Sequence, residues 1–319
     1  MFGVPQGSIL GPLLFNIYIC DLFYFLCDEE IANYADDTTP FTTGDTIDIV
    51  VTKNKEISDK FFTWLENNAM KGNADKCHLL LSTKTEISFT IKDKDIKSSS
   101  HKKLLGVTIE NDLSFTKHVS NLCNKVSSKL SALSRVSSYM TLPKKKIIMK
   151  AFITSQFSYC PLVWMLHNRR LNTRINRLHE RSLRVVYNDK SSSFQELLDK
   201  DKSVTIHHKN LQYLAIELYK VENGLAPNIM NMVFPTVKPI HKLRNENHFK
   251  RSNIRTVYYG TESLCHLGPN IWNLIPNEIR GQTSLQNFKS KIKGWKPKGC
   301  PCRLCKTYIT GLGFAAVSK

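Results

Sequence analysis

From Ile9 to Cys27 the chain is almost continuously apolar, interrupted by Pro12, Asn16 and Asp21. So broken a run, with no basic segment before it, fits neither a membrane span nor a secretory leader. It predicts a buried helix, opened by Pro12 and carrying Leu13, Leu14, Ile17 and Tyr18, after a loop over residues 3–11. Residues 32–42 then read as two short strands about a tight turn, with Asp36-Asp37 at the tip. Ile57, Phe61, Trp64 and Leu65 recur at three- and four-residue steps and predict a helix over 52–70, ended by Gly72-Asn73. Further strands are predicted over 77–81, 87–91 and 104–109, around a charged turn near Asp93-Lys94-Asp95. This first part is an α+β layer.

After Asn111 the period becomes helical. Val119, Leu122, Val126, Leu130 and Leu133 share one face of a helix whose other faces carry Lys125 and Lys129. Pro143 opens a second helix with Ile147, Ile148, Ala151 and Phe152. A third is predicted over 171–187, and a fourth over 208–222, stopped by Gly224 and Pro227. The domain boundary is expected near residue 113. Residues 234–258, rich in Pro, Asn, Lys and Arg, predict an extended or poorly ordered connection. Trp64, Trp164, Trp272 and Trp295 read as core anchors. Cys20, Cys27, Cys77, Cys123, Cys160 and Cys265, scattered singly with no secretory signal, read as reduced and mostly core residues of an intracellular protein, nuclear or cytoplasmic.

A chain of 319 residues, 41% apolar and 10% aromatic, can fold into two domains and is not of disordered composition. Its net charge of +18 is unevenly placed. Residues 1–100 hold nine Lys, no Arg and fifteen Asp and Glu, a net of −6, which leaves +24 for the remainder. An acidic first third suits a cation, and a strongly basic remainder suits a polyanion.

Asp36-Asp37 is the point of chemical interest. Two carboxylates about 4 Å apart repel by roughly 4 kcal/mol at an effective dielectric near 20. A divalent cation removes that cost, and Mg²⁺ favours one or two carboxylates together with phosphate oxygens. An Asp-Asp pair alone is an ordinary solvated turn. It gains meaning because Tyr34-Ala35 precedes it and Gly3-Val4-Pro5-Gln6-Gly7-Ser8 lies about thirty residues upstream.

Those two motifs together resemble the reverse transcriptases of non-LTR, LINE-type retrotransposons. The resemblance implies a partial polymerase palm over 1–112, a helical thumb and connection over 113–233, and a basic, partly irregular region over 234–319 that ends in a cysteine cluster. It further implies two-metal nucleotidyl transfer from a deoxynucleoside triphosphate to a DNA primer on an RNA template. Asp36 and Asp37 would hold Mg²⁺. Pro5, Gln6, Gly7, Ser8 and Tyr34 would shape the nucleotide and template pocket, with Gly7 required because a side chain would crowd the ligand. Lys76, within a segment 73–77 that resembles the next family motif, would lie near the phosphates. Leu105 and Gly106, within Leu104-Leu105-Gly106-Val107, would grip the primer end. Ser138-Tyr139 to Trp164 and Arg181-Ser182-Leu183-Arg184 resemble the family's thumb and downstream region. In the family, a third carboxylate comes from a strand preceding the Gly3 segment, and basic finger residues hold the triphosphate. Asp21, Asp28, Glu29 and Glu30 come after that loop and do not replace the missing acid. The chain is therefore expected to be inactive by itself.

Two basic features lie outside that motif set. Arg170, Arg174, Arg177, Arg181 and Arg184 step by four, three, four and three, which aligns five guanidinium groups on one helical face. A duplex backbone suits such a row better than the few acids after residue 100. A non-catalytic nucleic-acid-binding protein is accordingly the alternative reading. Cys300, Cys302 and Cys305 form a Cys-x-Cys-x-x-Cys cluster that could bind zinc with a fourth ligand, for which Cys265 and His266 are candidates. The favoured reading is an exposed, unpaired cysteine tail, since no histidine comes after it. His207-His208 read as surface or packing residues. No feature indicates a membrane, and nothing speaks to oligomeric state.

Overall fold

The computed structural model describes residues 7–83, 85–166, 168–237, 249–250, 253–297 and 299–305. The chain divides into two compact units, Met1–Leu104 with Glu110–Leu113, and Leu105–Ile109 with Ser114–Lys319. The fold class is α+β.

In the first unit, α1 (Gly11–Tyr18) carries Pro12 in its first turn and is preceded by Ser8, whose Oγ accepts from Gly11 N at 2.8 Å. A short α2 (Leu22–Phe25) comes next. The predicted buried helix is corrected on two counts. The apolar run breaks after Tyr18 into two helices, and only Ile19, Leu22 and Leu26 are buried beside a half-buried Phe15. Leu13, Leu14, Ile17, Phe23, Tyr24 and Phe25 are exposed, because nothing among the described residues covers their face.

The strands β1 (Glu30–Tyr34) and β2 (Asp37–Phe41) form the predicted antiparallel hairpin. Helix α3 (Ile47–Asn67) starts five residues earlier than predicted. Thr46 accepts from Ile49 N and Asp48 sits in the first turn, two N-terminal signals that outweigh the polar start. Its buried residues Ile57, Phe62, Trp64 and Leu65 face inward. Beyond it β3 (Leu79–Leu80), β4 (Ser88–Ile91) and β5 (Lys94–Ser99) make a sheet of order β3-β5-β4, with β5 parallel to β3 and antiparallel to β4. The polar β5 replaces part of the predicted charged turn. The reversal falls instead at Lys92 and Asp93, both at positive φ, and Ile96 is the one apolar side chain that β5 buries. The single strand predicted over 104–109 is a hairpin, β6 (His101–Leu104) and β7 (Val107–Glu110), bent at Leu105-Gly106.

The second unit is helical. In it α4 (Thr116–Val136) buries the predicted face Val119, Leu122, Val126, Leu130 and Leu133. The next helix, α5 (Leu142–Ile148), continues as a π-turn over Met149–Ile153. That wider turn rotates the helix surface, so Met149, Ile153 and Phe157 are buried while the predicted Ile147 and Phe152 face out. After α6 (Pro161–Trp164), α7 (Arg169–Tyr187) starts at Asn168, whose Oδ1 accepts from Leu171 N at 3.0 Å, and ends at left-handed Asn188. It packs Leu171, Ile175 and Leu178 into the α4 cluster and also buries the polar row Asn172, Asn176, His179 and Ser182.

Helices α8 (Phe194–Asp201), α9 (Ile206–Glu222), α10 (Ile229–Val233), α11 (Leu264–Leu274), α12 (Asn277–Arg280) and α13 (Leu285–Ile292) complete the unit. A second core gathers on α9, with Trp272, Ile271, Phe288, Ile292 and Trp295. All four tryptophans are buried, as the sequence predicts. Part of the predicted connection lies outside the described residues. Where described it is no loose linker: Phe234 and Phe249 are buried, Thr236 bridges to Phe249, and the Phe234 ring sits where a Cβ on Gly268 would be. The single cysteines are likewise corrected, since Cys123 alone is buried and Cys20, Cys27 and Cys160 are exposed. Among the described residues no helix is long and apolar enough to cross a membrane.

Candidate functional site

The β1–β2 register pairs Tyr34 with Asp37 and leaves Ala35 and Asp36 as the two-residue turn. Ala35 adopts a left-handed φ of 54°, a conformation that costs a residue with a Cβ about 1 kcal/mol or more. Behind the tip, Asn33 Nδ2 donates to Thr38 Oγ1 at 2.8 Å and ties the strands together. Asp36, Asp37 and Tyr34 are exposed. Among the described residues neither carboxylate forms an ion pair, and no third acid, histidine or cysteine joins them in a metal-ligating group. Two adjacent carboxylates at an open bend can take a hydrated divalent cation that completes its shell elsewhere.

Of the loop residues, Pro5 and Gln6 lie outside the described residues. Gly7 has φ +82°, and a Cβ there would meet nothing within 4 Å. Within this chain its need for glycine is therefore backbone conformation, rather than the crowding expected from sequence. Ser8 is engaged by the Gly11 amide at the start of α1. Lys76 closes a 3₁₀ turn begun by Asn73, whose Oδ1 accepts from Asp75 N at 2.9 Å; its side chain is exposed.

Leu105 and Gly106 belong to the second unit. Both have positive φ, 44° and 88°, as a tight two-residue hairpin turn requires. The turn is clasped by a residue that the sequence does not single out. Tyr159 Oη donates to Leu105 O at 2.5 Å, its ring lies 3.3 Å from where a Gly106 Cβ would be, and Trp164 Nε1 donates to Tyr159 O at 2.9 Å. On the same hairpin Thr108 N donates to His118 Nδ1 at 3.2 Å. Burial, with Lys125 nearby, lowers the His118 pKa and so favours the neutral acceptor form.

The five arginines do line α7, but they are not equivalent. Arg170, Arg177 and Arg181 are exposed, Arg184 is engaged by Glu180 at 2.6 Å, and Arg174 donates to Asn124 on α4 at 2.5 Å. Two shallow grooves run along α4 beside that contact, lined by Asn124, Lys125, Ser128, Lys129 and Gln156, and by Ser127, Ser131 and Arg135. The serine row escapes sequence reasoning because an apolar period draws attention to the opposite face.

The cysteine cluster is where the sequence reading fails most clearly. Cys300, Cys302 and Cys305 are buried in the core on α9. His207, expected to be a surface or packing residue, is buried with Nε2 at 3.3 Å from Cys302 Sγ. No spacing rule links residues ninety-five apart. Cys265 and His266, the ligands suggested from sequence, are not in the group of His207, Cys302 and Cys305 that could hold a metal ion.

Comparison with known proteins agrees with the hairpin motif. Residues 1–109 match the family "Reverse transcriptase (RNA-dependent DNA polymerase)". The chain is 30% identical over 155 residues to the RNA-directed DNA polymerase from mobile element jockey of Drosophila melanogaster, a match covering 46% of this chain and 16% of that relative. It is 26% identical over 200 residues to the probable RNA-directed DNA polymerase from transposon BS of the same species, covering 58% and 22%. A Pol polyprotein from type-1 retrotransposable element R1 2 of Nasonia vitripennis is 27% identical over 179 residues, covering 51% and 43%. The matched stretch is thus less than half of each of these relatives. No solved structure matches.

Proposed function

The chain belongs to the reverse transcriptases of non-LTR, LINE-type retrotransposons, and from that premise we propose that it supplies two metal-binding carboxylates and a duplex-holding region to RNA-directed DNA synthesis. The observation that carries this reading is the hairpin: Asp36 in its turn and Asp37 at the head of β2, exposed and without cationic partners among the described residues. Bound there, Mg²⁺ would neutralise charge on the triphosphate and sharpen the attacking primer hydroxyl. The chain's own residues have simpler tasks. Asp36 is the main ligand, and Asp37, paired to Tyr34 across the turn, fixes the hairpin and assists. Tyr34, Gly7 and Ser8, with Pro5 and Gln6, border the incoming deoxynucleotide and the template. Lys76 reaches its phosphates, and the Leu105-Gly106 turn, held by Tyr159, supports the primer end.

By itself the chain is proposed to be inactive, since no third carboxylate gathers with Asp36 and Asp37 among the described residues. Primer extension on a homopolymer RNA template with Mg²⁺ should give no incorporation from this chain. A longer polypeptide that contributes a third acid should polymerise and lose activity on Asp36→Asn. Asp36-dependent synthesis by the chain alone would overturn the claim of inactivity.

A second reading, nucleic-acid binding without catalysis, is favoured by the α4–α7 surface, where Arg174 meets grooves lined by Lys125, Lys129 and Arg135. Replacing Arg174, Arg177 and Arg181 with Ala should reduce the salt slope of duplex binding by about three. An unchanged slope would return the stripe to solvent.

A further inference from the structure

We propose that His207, Cys300, Cys302 and Cys305 form a tetrahedral zinc site that fastens residues 299–305 to the start of α9. The donor atoms of His207, Cys302 and Cys305 all lie within 4.8 Å of one another, and the His207–Cys302 contact is 3.3 Å. Zinc bonds of about 2.3 Å to sulfur and 2.0–2.1 Å to nitrogen put tetrahedral donors roughly 3.5–4 Å apart, so these three need little movement to share an ion. Cys300, buried in the same loop two residues from Cys302 and outside that group of three, supplies the fourth donor by a small shift of the loop.

The chemistry of the set is that of a structural site. All four residues are buried, which leaves no open position for water or substrate and matches closed Cys₃His coordination. The Cys305 amide donates to Cys302 Sγ at 3.4 Å, the kind of contact that supports a thiolate ligand. Three thiolates and one neutral imidazole around Zn²⁺ leave a single negative charge. Arg303, inside the loop, does not neutralise it: its guanidinium donates to Leu166 O at 2.7 Å and lies 4.0 Å from Glu262. The His207 Nδ1 finds no partner among the described residues, so packing rather than an outer acceptor orients the ring.

The alternative to a metal is a buried cluster of plain thiols, or a disulfide. A disulfide uses two of the three cysteines and gives the imidazole no role, and in this structure all three are free. The local backbone suits a loop folded around an ion. Gly299 takes φ +75°, which turns the chain inward before Cys300, and the Cys305 amide also bonds Cys302 O at 3.1 Å to close the loop. Gln212, one turn beyond His207 on α9, holds the approach by donating to Lys293 O and Trp295 O at 3.0 and 2.9 Å.

The test is metal analysis of the full chain purified under reducing conditions, with cobalt substitution. The expected result is one zinc per chain, replaced by Co²⁺ with the intense visible bands of tetrahedral geometry and thiolate charge transfer. Cys302→Ser and His207→Ala should each lower zinc retention at least tenfold. Should His207→Ala fail to fold, His207→Cys decides the matter: it should keep one zinc and shift the cobalt spectrum toward all-sulfur coordination. A folded wild-type chain without zinc, weak octahedral cobalt bands, a Cys302–Cys305 disulfide, or a His207→Cys spectrum identical to wild type would each overturn the proposal. None of these readouts depends on polymerase activity, so the site stands or falls independently of the polymerase role.

Discussion

Among the described residues of the first unit, the buried cluster runs from Ile19 to Ile96 and holds nine side chains, while the second unit holds two clusters of eighteen and twenty. The first unit meanwhile leaves a row of large apolar residues on α1 and α2 in solvent, and its carboxylate-bearing hairpin is a sheet of only two strands. A lone hairpin is marginal in water, and extended apolar surface is unusual for a self-sufficient domain. The candidate chemistry thus sits on the less complete scaffold and the candidate grip on the more complete one. Burial rather than secondary-structure content separates them.

The sharpest way to break that contrast is to remove one aromatic from each side. Trp164→Ala, at a fully buried position in the second unit, should cost about 3–5 kcal/mol in urea denaturation. Tyr24→Ala, at a residue 80% exposed, should change stability by no more than about 0.5 kcal/mol. Equal losses would mean that α2 is covered after all.

Acid should act next most strongly, and on the second unit. Burial holds His179 near pKa about 4, well below its usual 6.5. A histidine lowered in the folded state binds its proton first in the unfolded chain. Stability is therefore intact above pH 6.5 and falls as pH drops toward 4, by up to about 3 kcal/mol. Denaturation at stepped pH should show this loss in wild type and a flatter profile in His179→Gln. A profile unaffected by the substitution would remove His179 as the cause.

The smallest effect concerns the hairpin. Ala35→Gly relieves the left-handed φ at the tip and should raise stability by about 1 kcal/mol at most, offset in part by the added freedom of glycine when unfolded. A clear loss would show that the Cβ at 35 packs on something.

Legibility tracks the range of the interaction. The Asp36-Asp37 hairpin and the apolar faces of α4 and α7 are readable because a turn and a helical period are local events. The start of α3 is hidden although Thr46 and Asp48 signal it, since the apolar period begins later. β5 is hidden because a strand with one buried side chain shows no alternation. The exposure of α1 cannot be read, because hydrophobicity states a need for cover and not whether cover exists. His207 is invisible as a partner of Cys302 for a related reason. Only tertiary folding makes residues ninety-five apart into neighbours. The available signal is three cysteines within six residues and one donor short.

The polar row Asn172, Asn176, His179 and Ser182 on the inner side of α7 has a mechanical result for the outer side. Rotating this helix about its axis would bring that row against the apolar cluster in place of Leu171, Ile175 and Leu178, so its facing is fixed. The arginine row from Arg170 to Arg184 therefore keeps one outward facing over about 21 Å at 1.5 Å per residue, close to the rise of about six base pairs, with Arg174 and Arg184 held by Asn124 and Glu180. On the duplex-binding reading proposed above, that row would gauge distance along the backbone without reading the bases.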